Sequence, residues 1–141
     1  MMVASQEGHP DIIRLLLQSG AAEGSHNNDG WTPLMVASRR GHLDVIHLLL
    51  QSGATVNSCG NDGMTALALA SKHDHTDIVR LLLQRGAAVD SRDKDGWTPL
   101  LLASQEGHAD IVDLLLQGGA TVDSRDNGDW TPSNGQSPYS S

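Results

Sequence analysis

The feature that most constrains this chain is a stretch of 33 residues, 29–61, that occurs three times in phase. It returns as residues 62–94 and 95–127, and the first and third copies agree at 21 of 33 positions when aligned without gaps. Agreement of that extent does not arise by chance, and a fixed period of this size indicates an array of stacked units. The fold must therefore be explained one unit at a time.

Each copy carries signals for two short helices and a turn. Thr32-Pro33 predicts a helix start, because the Thr hydroxyl can accept from a free N–H and Pro at the first helical position sacrifices no hydrogen bond. Gly41 predicts its end, since glycine readily takes the left-handed conformation. After His42, apolar residues recur at helical spacing. Two such short helices cannot bury their apolar faces alone, so neighbouring units must stack.

The unit resembles an ankyrin repeat in residue types, order and period. The resemblance implies an all-α ankyrin-repeat solenoid, in which helix-turn-helix units are joined by hairpin-like loops. In the first full copy the residues that carry it are Gly30, Thr32, Pro33, Leu34, Ala37, Gly41, His42, Leu48, Leu49, Leu50, Gly53, Ala54, Val56 and Asn57.

The resemblance implies an ankyrin-repeat domain over residues 1–132. Residues 1–28 are a truncated repeat, 29–61, 62–94 and 95–127 are full repeats, and 128–132 begin a further one. Residues 133–141 are polar and aperiodic, which predicts a disordered tail. The second full repeat is the least regular, because Ala66 replaces the Pro and Asp74 replaces the closing Gly. We expect its turn to be the least stable, since Asp tolerates the left-handed conformation less well than Gly.

Two further expectations come from the family pattern. The His that usually follows Thr-Pro-Leu is replaced by Met35, Ala68 and Leu101. In the family this His hydrogen-bonds one repeat to the next, so the resemblance implies that this bond is missing here. Asn57 occupies the position that an asparaginyl hydroxylase can modify in ankyrin repeats, and the resemblance therefore implies a modification site.

Composition and charge exclude several classes of partner. The net charge of -8 opposes sequence-independent binding of nucleic acid, which needs a basic surface. No stretch approaches the roughly 20 apolar residues that span a bilayer, so no direct membrane insertion is expected. Cys59 is the only cysteine, which excludes an internal disulfide and fits a reducing compartment. We therefore expect a cytoplasmic protein.

The sequence predicts no catalytic residues, no cofactor and no metal site. The sharpest candidate cluster for metal binding consists of His73, Asp74, His75 and Asp77, because all four are possible ligands. However, His75 occupies the position of His9 and of its counterparts in the other repeats, and a residue that recurs with the period is structural. No nucleophile elbow, phosphate loop or zinc-binding helix motif is present, so we expect that the chain is not an enzyme.

The candidate binding residues are those that vary between otherwise similar copies, because the fold does not dictate them. They follow the first helix's Ala-Ser or precede the Thr-Pro, two rows that line the concave groove where ankyrin arrays bind partners. For the charged row the alternative interpretation is a solvated helix face, and for the Trp row it is packing on the next repeat. The predicted protein-binding residues are Trp31, Arg39, Arg40, Met64, Lys72, His73, Trp97, Gln105 and Glu106.

The resemblance implies non-catalytic protein–protein recognition, as a scaffold or adaptor that binds its partner through the concave groove. The alternatives are the cytoplasmic ankyrin domain of a membrane receptor or channel, and a targeting module of a larger enzyme. Because Arg39, Arg40 and Lys72 concentrate positive charge in an acidic chain, we expect a protein partner with an acidic segment. The terminal repeats lack clear polar caps, which also predicts end-to-end self-association.

Overall fold

The computed structural model of the protein describes residues 2–20 and 26–122, and within these ranges it contains eight α-helices and no strand. The predicted start of a further repeat at 128–132 and the predicted tail at 133–141 lie outside the described residues. The helices are α1 (Met2–Glu7), α2 (Pro10–Gln18), α3 (Pro33–Arg40), α4 (Leu43–Gln51), α5 (Ala66–Lys72), α6 (Thr76–Gln84), α7 (Pro99–Glu106) and α8 (Ala109–Gln117).

The helices stack in two layers, as expected for a solenoid. The odd-numbered helices pack side by side in chain order, and the even-numbered helices form the second layer behind them. Apolar residues between the layers form a continuous row of small cores, in which Leu49, Leu82 and Leu115 are fully buried. The helix-turn-helix solenoid predicted from the sequence is therefore confirmed.

Threonine side chains begin three of the first-layer helices. The Oγ1 atom of Thr32 accepts from the Met35 N–H at 3.3 Å, and Thr98 caps α7 in the same way at 3.2 Å. Thr65 caps α5 at 3.1 Å although Ala66 stands where the other repeats have Pro. Because one orphan N–H is satisfied in each case, the hydroxyl is sufficient to begin the helix without the proline.

The turn after each first-layer helix requires a positive φ. Gly41 and Gly107 close α3 and α7 with φ of 83° and 76°. Asp74 takes the equivalent conformation with φ of 64°, and it is the one residue other than Gly with positive φ among the described residues. Its helix also ends earlier, at Lys72. The irregularity expected for this turn is thus present in the backbone.

Replacing Asp74 with Gly is expected to raise the free energy of unfolding by about 0.5–1 kcal/mol. Glycine relieves the left-handed strain, and this gain exceeds the extra chain entropy that glycine adds to the unfolded state. The lost contact between Asp74 Oδ1 and His108 Nδ1, 3.6 Å apart, is exposed and contributes little. Urea denaturation measures the change. Asp74→Ala is the control, because it removes the charge but keeps a Cβ atom at the positive φ, and an equal gain in that variant would show that charge, not backbone conformation, is responsible.

Histidines join neighbouring helix pairs at the ends of the first-layer helices. The Nε2 atom of His42 lies 2.8 Å from the carbonyl oxygen of Gln6, and His75 makes the same bond to Arg39 at 2.8 Å. His108 bonds the carbonyl oxygen of Lys72 at 3.0 Å. Since a carbonyl only accepts, Nε2 carries the proton in each ring. The position after Thr-Pro-Leu still has no histidine to make the bond usual in the family, but the histidine that opens each second-layer helix supplies a different hydrogen bond between the helix pairs.

The hairpin-like loops form a second line of joints. The Asn61 N–H donates to the Asp29 carbonyl oxygen at 2.8 Å, and the Lys94 N–H donates to Asp62 at 2.9 Å. Each bond connects one hairpin to the next, so the loops form a backbone ladder without belonging to a sheet. Neighbouring repeats are consequently held together at their hairpins as well as at their helices.

The loops after the second-layer helices form a third line of joints. Asn57 Oδ1 accepts from the Ala88 N–H at 2.8 Å. Asp90 takes the same position one repeat later and accepts from both the N–H and the hydroxyl of Thr121, at 2.9 and 2.7 Å. The side chain of Asn57 is exposed but already engaged in a structural bond, and its hydroxylation stays a prediction.

Candidate protein-binding groove

A cleft of about 460 Å³ lies between the hairpins and the C-terminal ends of α3 and α5. We call this cleft the groove. It contains aromatic, apolar, basic and acidic groups side by side, and is lined by Trp31, Arg39, Asp62, Met64, Leu69, Lys72, His73, Asp93, Lys94 and Asp95.

Trp31 and Arg39 form one wall of the groove. The guanidinium carbon of Arg39 lies 5.4 Å from the centre of the Trp31 ring, within the range of a cation–π contact. The indole ring also packs against Gly60 of the following hairpin, where a Cβ atom would overlap it. Trp31 therefore packs on its neighbour with one part of its ring and lines the groove with another, and its role in binding a partner stays a prediction.

Lys72 is the last residue of α5 and His73 is its C-cap, and both line the groove together with Arg39. Partial burial lowers the pKa of His73, and the positive charges of Arg39 and Lys72 lower it further, against the opposing effect of Glu106. The imidazole therefore remains mainly neutral near pH 7. The positive charge of this edge is consequently carried by Arg39 and Lys72.

The groove also contains carboxylates that the sequence analysis missed. Asp93 Oδ1 accepts from the N–H groups of Asp95 and Trp97 at 2.8 and 2.9 Å. Asn27 accepts from the equivalent N–H groups of its own hairpin at 3.0 Å, so two of the three hairpins have a polar acceptor two residues before Asp-Gly, while Gly60 takes this position in the other. The carboxylate oxygen of Asp93 organises the turn and is only partly available to a partner.

The remaining predicted residues differ in burial and in whether they line the groove. Met64 is buried and forms the floor of the groove with Leu69. Arg40 is exposed but does not line the groove, whereas Trp97 is half-buried and packs against the core. The exposed residues at the end of α7, beyond the groove, are Gln105 and Glu106. The structure thus brings together Trp31, Arg39, Met64, Lys72 and His73 out of the nine predicted residues.

Comparison with known protein families agrees with this architecture. The family model described as ankyrin repeats (3 copies) matches residues 1–59 and 55–126. The chain belongs to the ankyrin-repeat family. None of the curated proteins compared with it matches. Ankyrin repeats are in general protein–protein interaction modules and typically non-catalytic.

The histidine cluster of this ankyrin array lies at the turn between α5 and α6. The rings of His73 and His75 stack with their centres 6.5 Å apart, and His75 is engaged with the Arg39 carbonyl. Among the residues that the structure describes, no three His, Cys, Asp or Glu side chains are grouped so as to hold a metal ion. The recurring histidine of the repeat is therefore used to join repeats.

The described helices of the ankyrin array are all short. None of them is long and apolar enough to cross a membrane.

Proposed function

We propose that this ankyrin domain is a non-catalytic scaffold or adaptor module that binds an acidic segment of a protein partner in the groove. The observation that carries the proposal is the placement of Arg39 and Lys72 on one edge of a cleft whose wall is Trp31. Trp and Arg are enriched at the energetic centres of protein interfaces. This arrangement supports a docking surface with a basic edge and an aromatic anchor.

The charges of the groove favour carboxylates of a partner at the ends of α3 and α5, which we call the helix edge, over carboxylates at the hairpins, which we call the hairpin edge. Arg39 and Lys72 are exposed there, and their charge attracts carboxylates during encounter. At the hairpin edge Asp62 and Asp93 accept backbone hydrogen bonds within their own turns. A partner segment, extended or helical, can place its Asp and Glu residues along α3 and α5. Its carboxylates then lie next to Arg39 and Lys72 and away from Asp62 and Asp93. We place this interaction in the cytoplasm, where the single cysteine would remain reduced.

Reversing both charges of the basic edge, Arg39→Glu with Lys72→Glu, is expected to weaken binding of an acidic partner by at least about tenfold. The loss arises from slower association, because the groove then repels the partner's carboxylates. Folding should change little, since exposed charges contribute little to stability. Stopped-flow mixing with a fluorescent Glu-rich peptide, at low and at physiological salt, gives the association rate. A Lys-rich peptide of equal length tests whether the groove prefers negative over positive charge.

Two variants serve as controls for this experiment. Arg85→Glu changes the same charge at an exposed position after α6, away from the groove, and should leave the rate unchanged. Arg40→Glu alone should have a smaller effect than Arg39→Glu, because Arg40 does not line the groove. Equal losses in all three single variants would mean that net charge steers the peptide without a defined site, and the groove proposal would be abandoned.

We propose in addition that the chain associates with itself through its terminal repeats. The observation that favours this second interaction is the exposure of three apolar side chains in the first two helices, Val3, Ile12 and Leu15. At the positions of Val3 and Ile12, the later repeats have the buried residues Val36 and Val45, and exposed apolar patches mark interaction sites in soluble proteins. Concentration-dependent sedimentation of the full chain tests it.

A further inference from the structure

We infer that the groove accepts a partner segment in which an aliphatic side chain lies between an acidic and a basic side chain. The inference rests on the groove function proposed above and specifies the composition of the segment. Its carboxylate meets the helix edge, its cation meets the hairpin edge, and its aliphatic group lies on the floor between them. The lining residues come from the hairpin before α3 to the hairpin before α7, so described helix pairs flank the groove on both sides.

The groove lies where the middle repeat departs from its neighbours. Met64 stands at the position that Trp31 and Trp97 hold in the other full repeats. The Trp31 ring packs against Gly60, which has no Cβ atom to obstruct it. One period after Gly60 the chain has Asp93, and this residue lines the groove together with Met64. The smaller Met side chain thus leaves open the space that a Trp ring would fill, and a carboxylate stands beside that space.

The floor of the groove suits an aliphatic side chain. Met64 and Leu69 are buried there, and the half-buried Trp31 stands beside them. Because a Met side chain is unbranched and flexible, it can adapt to an apolar group placed against it. The cleft of about 460 Å³ falls within the range of roughly 300–1,000 Å³ that is typical of ligand clefts. An aliphatic group bound here removes apolar surface from water on both partners, which is favourable.

The two edges of the groove carry charges of opposite sign. At the helix edge, the exposed side chains of Arg39 and Lys72 are positive. The hairpin edge holds three carboxylates and one ammonium group, those of Asp62, Asp93, Asp95 and Lys94. Since complementary charges favour association and fix the orientation of a partner, a segment with carboxylates alone matches one edge and leaves the other unmatched. A segment with a cation beyond its aliphatic residue matches both.

Asp95 is the carboxylate of the hairpin edge that is best placed to meet a cation. Asp62 and Asp93 are half-buried, and the Oδ1 atom of each accepts backbone N–H groups within its own turn. The side chain of Asp95 is exposed and lines the groove. A carboxylate can accept two parallel hydrogen bonds from a guanidinium group, so Arg is the cation that this edge favours.

Fluorescence anisotropy with four labelled peptides of equal length tests the composition of the segment. The first peptide carries a Glu block, one Leu and an Arg block, in either order, and the order that binds more tightly is kept. The second has Ser in place of Leu, the third has Gln in place of the Arg block, and the fourth has Gln in place of the Glu block. Each change leaves one part of the groove unmatched, so the first peptide should bind at least about tenfold more tightly than each of the others.

Reversing the charge of Asp95 gives a test in which one affinity should rise. Asp95→Lys should weaken binding of the first peptide at least about tenfold, and it should strengthen binding of a peptide with Glu blocks on both sides of the Leu. A gain of affinity cannot result from loss of folding. Asp29→Lys is the matched control, because Asp29 is exposed at the same position of an earlier hairpin but does not line the groove. This control should leave both affinities unchanged.

Two further measurements locate the peptide in the groove. Met64→Trp combined with Asp93→Gly reproduces the pair formed by Trp31 and Gly60 and should fill the floor, so that the Leu and Ser peptides bind equally. Circular dichroism confirms that this variant is folded, and Asp95→Lys decides the inference if it is not. Both lysines of the chain line the groove. A bound peptide that contains no amine should therefore slow the acetylation of Lys72 and Lys94 by an amine-reactive reagent, as followed by mass spectrometry.

The outcomes separate this inference from the function on which it rests. If the peptide without Arg binds as tightly as the first peptide, the composition inferred here is wrong, while binding of an acidic segment in the groove stands. If none of the peptides binds, both proposals are overturned. Binding of the first peptide without protection of either lysine would place it outside the groove and contradict the inference. Equal effects of Asp95→Lys and Asp29→Lys would mean that overall charge, and not the hairpin edge, selects the segment.

Discussion

Replacing Leu82 with Ala is expected to lower the free energy of unfolding by about 2–5 kcal/mol. Leu82 lies in α6 with none of its surface exposed, and it packs in the core shared by the stacked helix pairs. Removing its branched end deletes buried apolar contacts and leaves a cavity that the flanking helices cannot fully close. The prediction follows from the position of Leu82 in the Leu-Leu-Leu run of the third helix pair.

Chemical denaturation of dilute protein measures this loss. Leu116→Ala is the matched control, because it makes the same chemical change at an exposed leucine of α8 and should cost less than about 1 kcal/mol. A loss below roughly half a kcal/mol for Leu82→Ala would show that the residue does not contribute to the packing between helices.

The second large effect is expected at Gly41, where Ala should destabilise the protein by about 2–3 kcal/mol. Two costs add up. The backbone has φ of 83°, which costs a residue with a Cβ about 1–2 kcal/mol. A Cβ there would also lie 2.6 Å from the His75 ring, which must move and thereby weakens its bond to the Arg39 carbonyl. A hydrogen bond of this kind contributes about 1 kcal/mol.

Gly107 separates the two costs. Its φ of 76° is nearly the same, but a Cβ at this residue meets nothing within 4 Å. Gly107→Ala should therefore lower the free energy of unfolding only by the cost of the backbone conformation. In a background of His75→Ala the clash disappears, and Gly41→Ala should then cost no more than Gly107→Ala. If Gly41→Ala and Gly107→Ala are equally destabilising in the natural background, the histidine joint contributes nothing measurable.

The helices of this protein were predictable from its sequence because their signals are local. A Thr hydroxyl reaches an N–H three residues away, and Gly closes a turn by its own φ, so Thr32 and Gly41 could be interpreted without knowledge of the rest of the chain. Asp74 was recognised as an irregular turn for the same reason. The 33-residue period then indicated that these helix pairs stack on one another.

The joints between repeats were less predictable, because they connect residues that are distant in the chain. The period identified His75 as structural, but its acceptor, the Arg39 carbonyl, is 36 residues away, and only the stacking distance brings it within reach. The family pattern directed attention to a different position, Met35, where the histidine is missing. The structure shows that the missing side chain does not leave the helix pairs unjoined.

The groove was predictable in part. Variation between copies identified Trp31 and Arg39, and the structure places them in contact. The same criterion selected Met64 and Trp97, which are largely used in packing, since variation does not distinguish an exposed residue from one fitted to a local neighbour. It did not select Asp93, because that residue lies outside the two rows considered, in the hairpin, where its carboxylate accepts from the Trp97 N–H.

The three lines of joints between helix pairs bear on how rigidly the groove would be presented to the partner that we propose. The pairs α3–α4 and α5–α6 are fastened by the His75 bond at the helix ends, by the Asn61 bond at the hairpins and by the Asn57 bond at the outer loops. Three attachment points in different loops and turns restrict how one helix pair can twist or bend on the next more than a single point would. The shape of the groove is then largely set before any partner arrives. A partner segment that matches this shape binds with little loss of conformational entropy in the array.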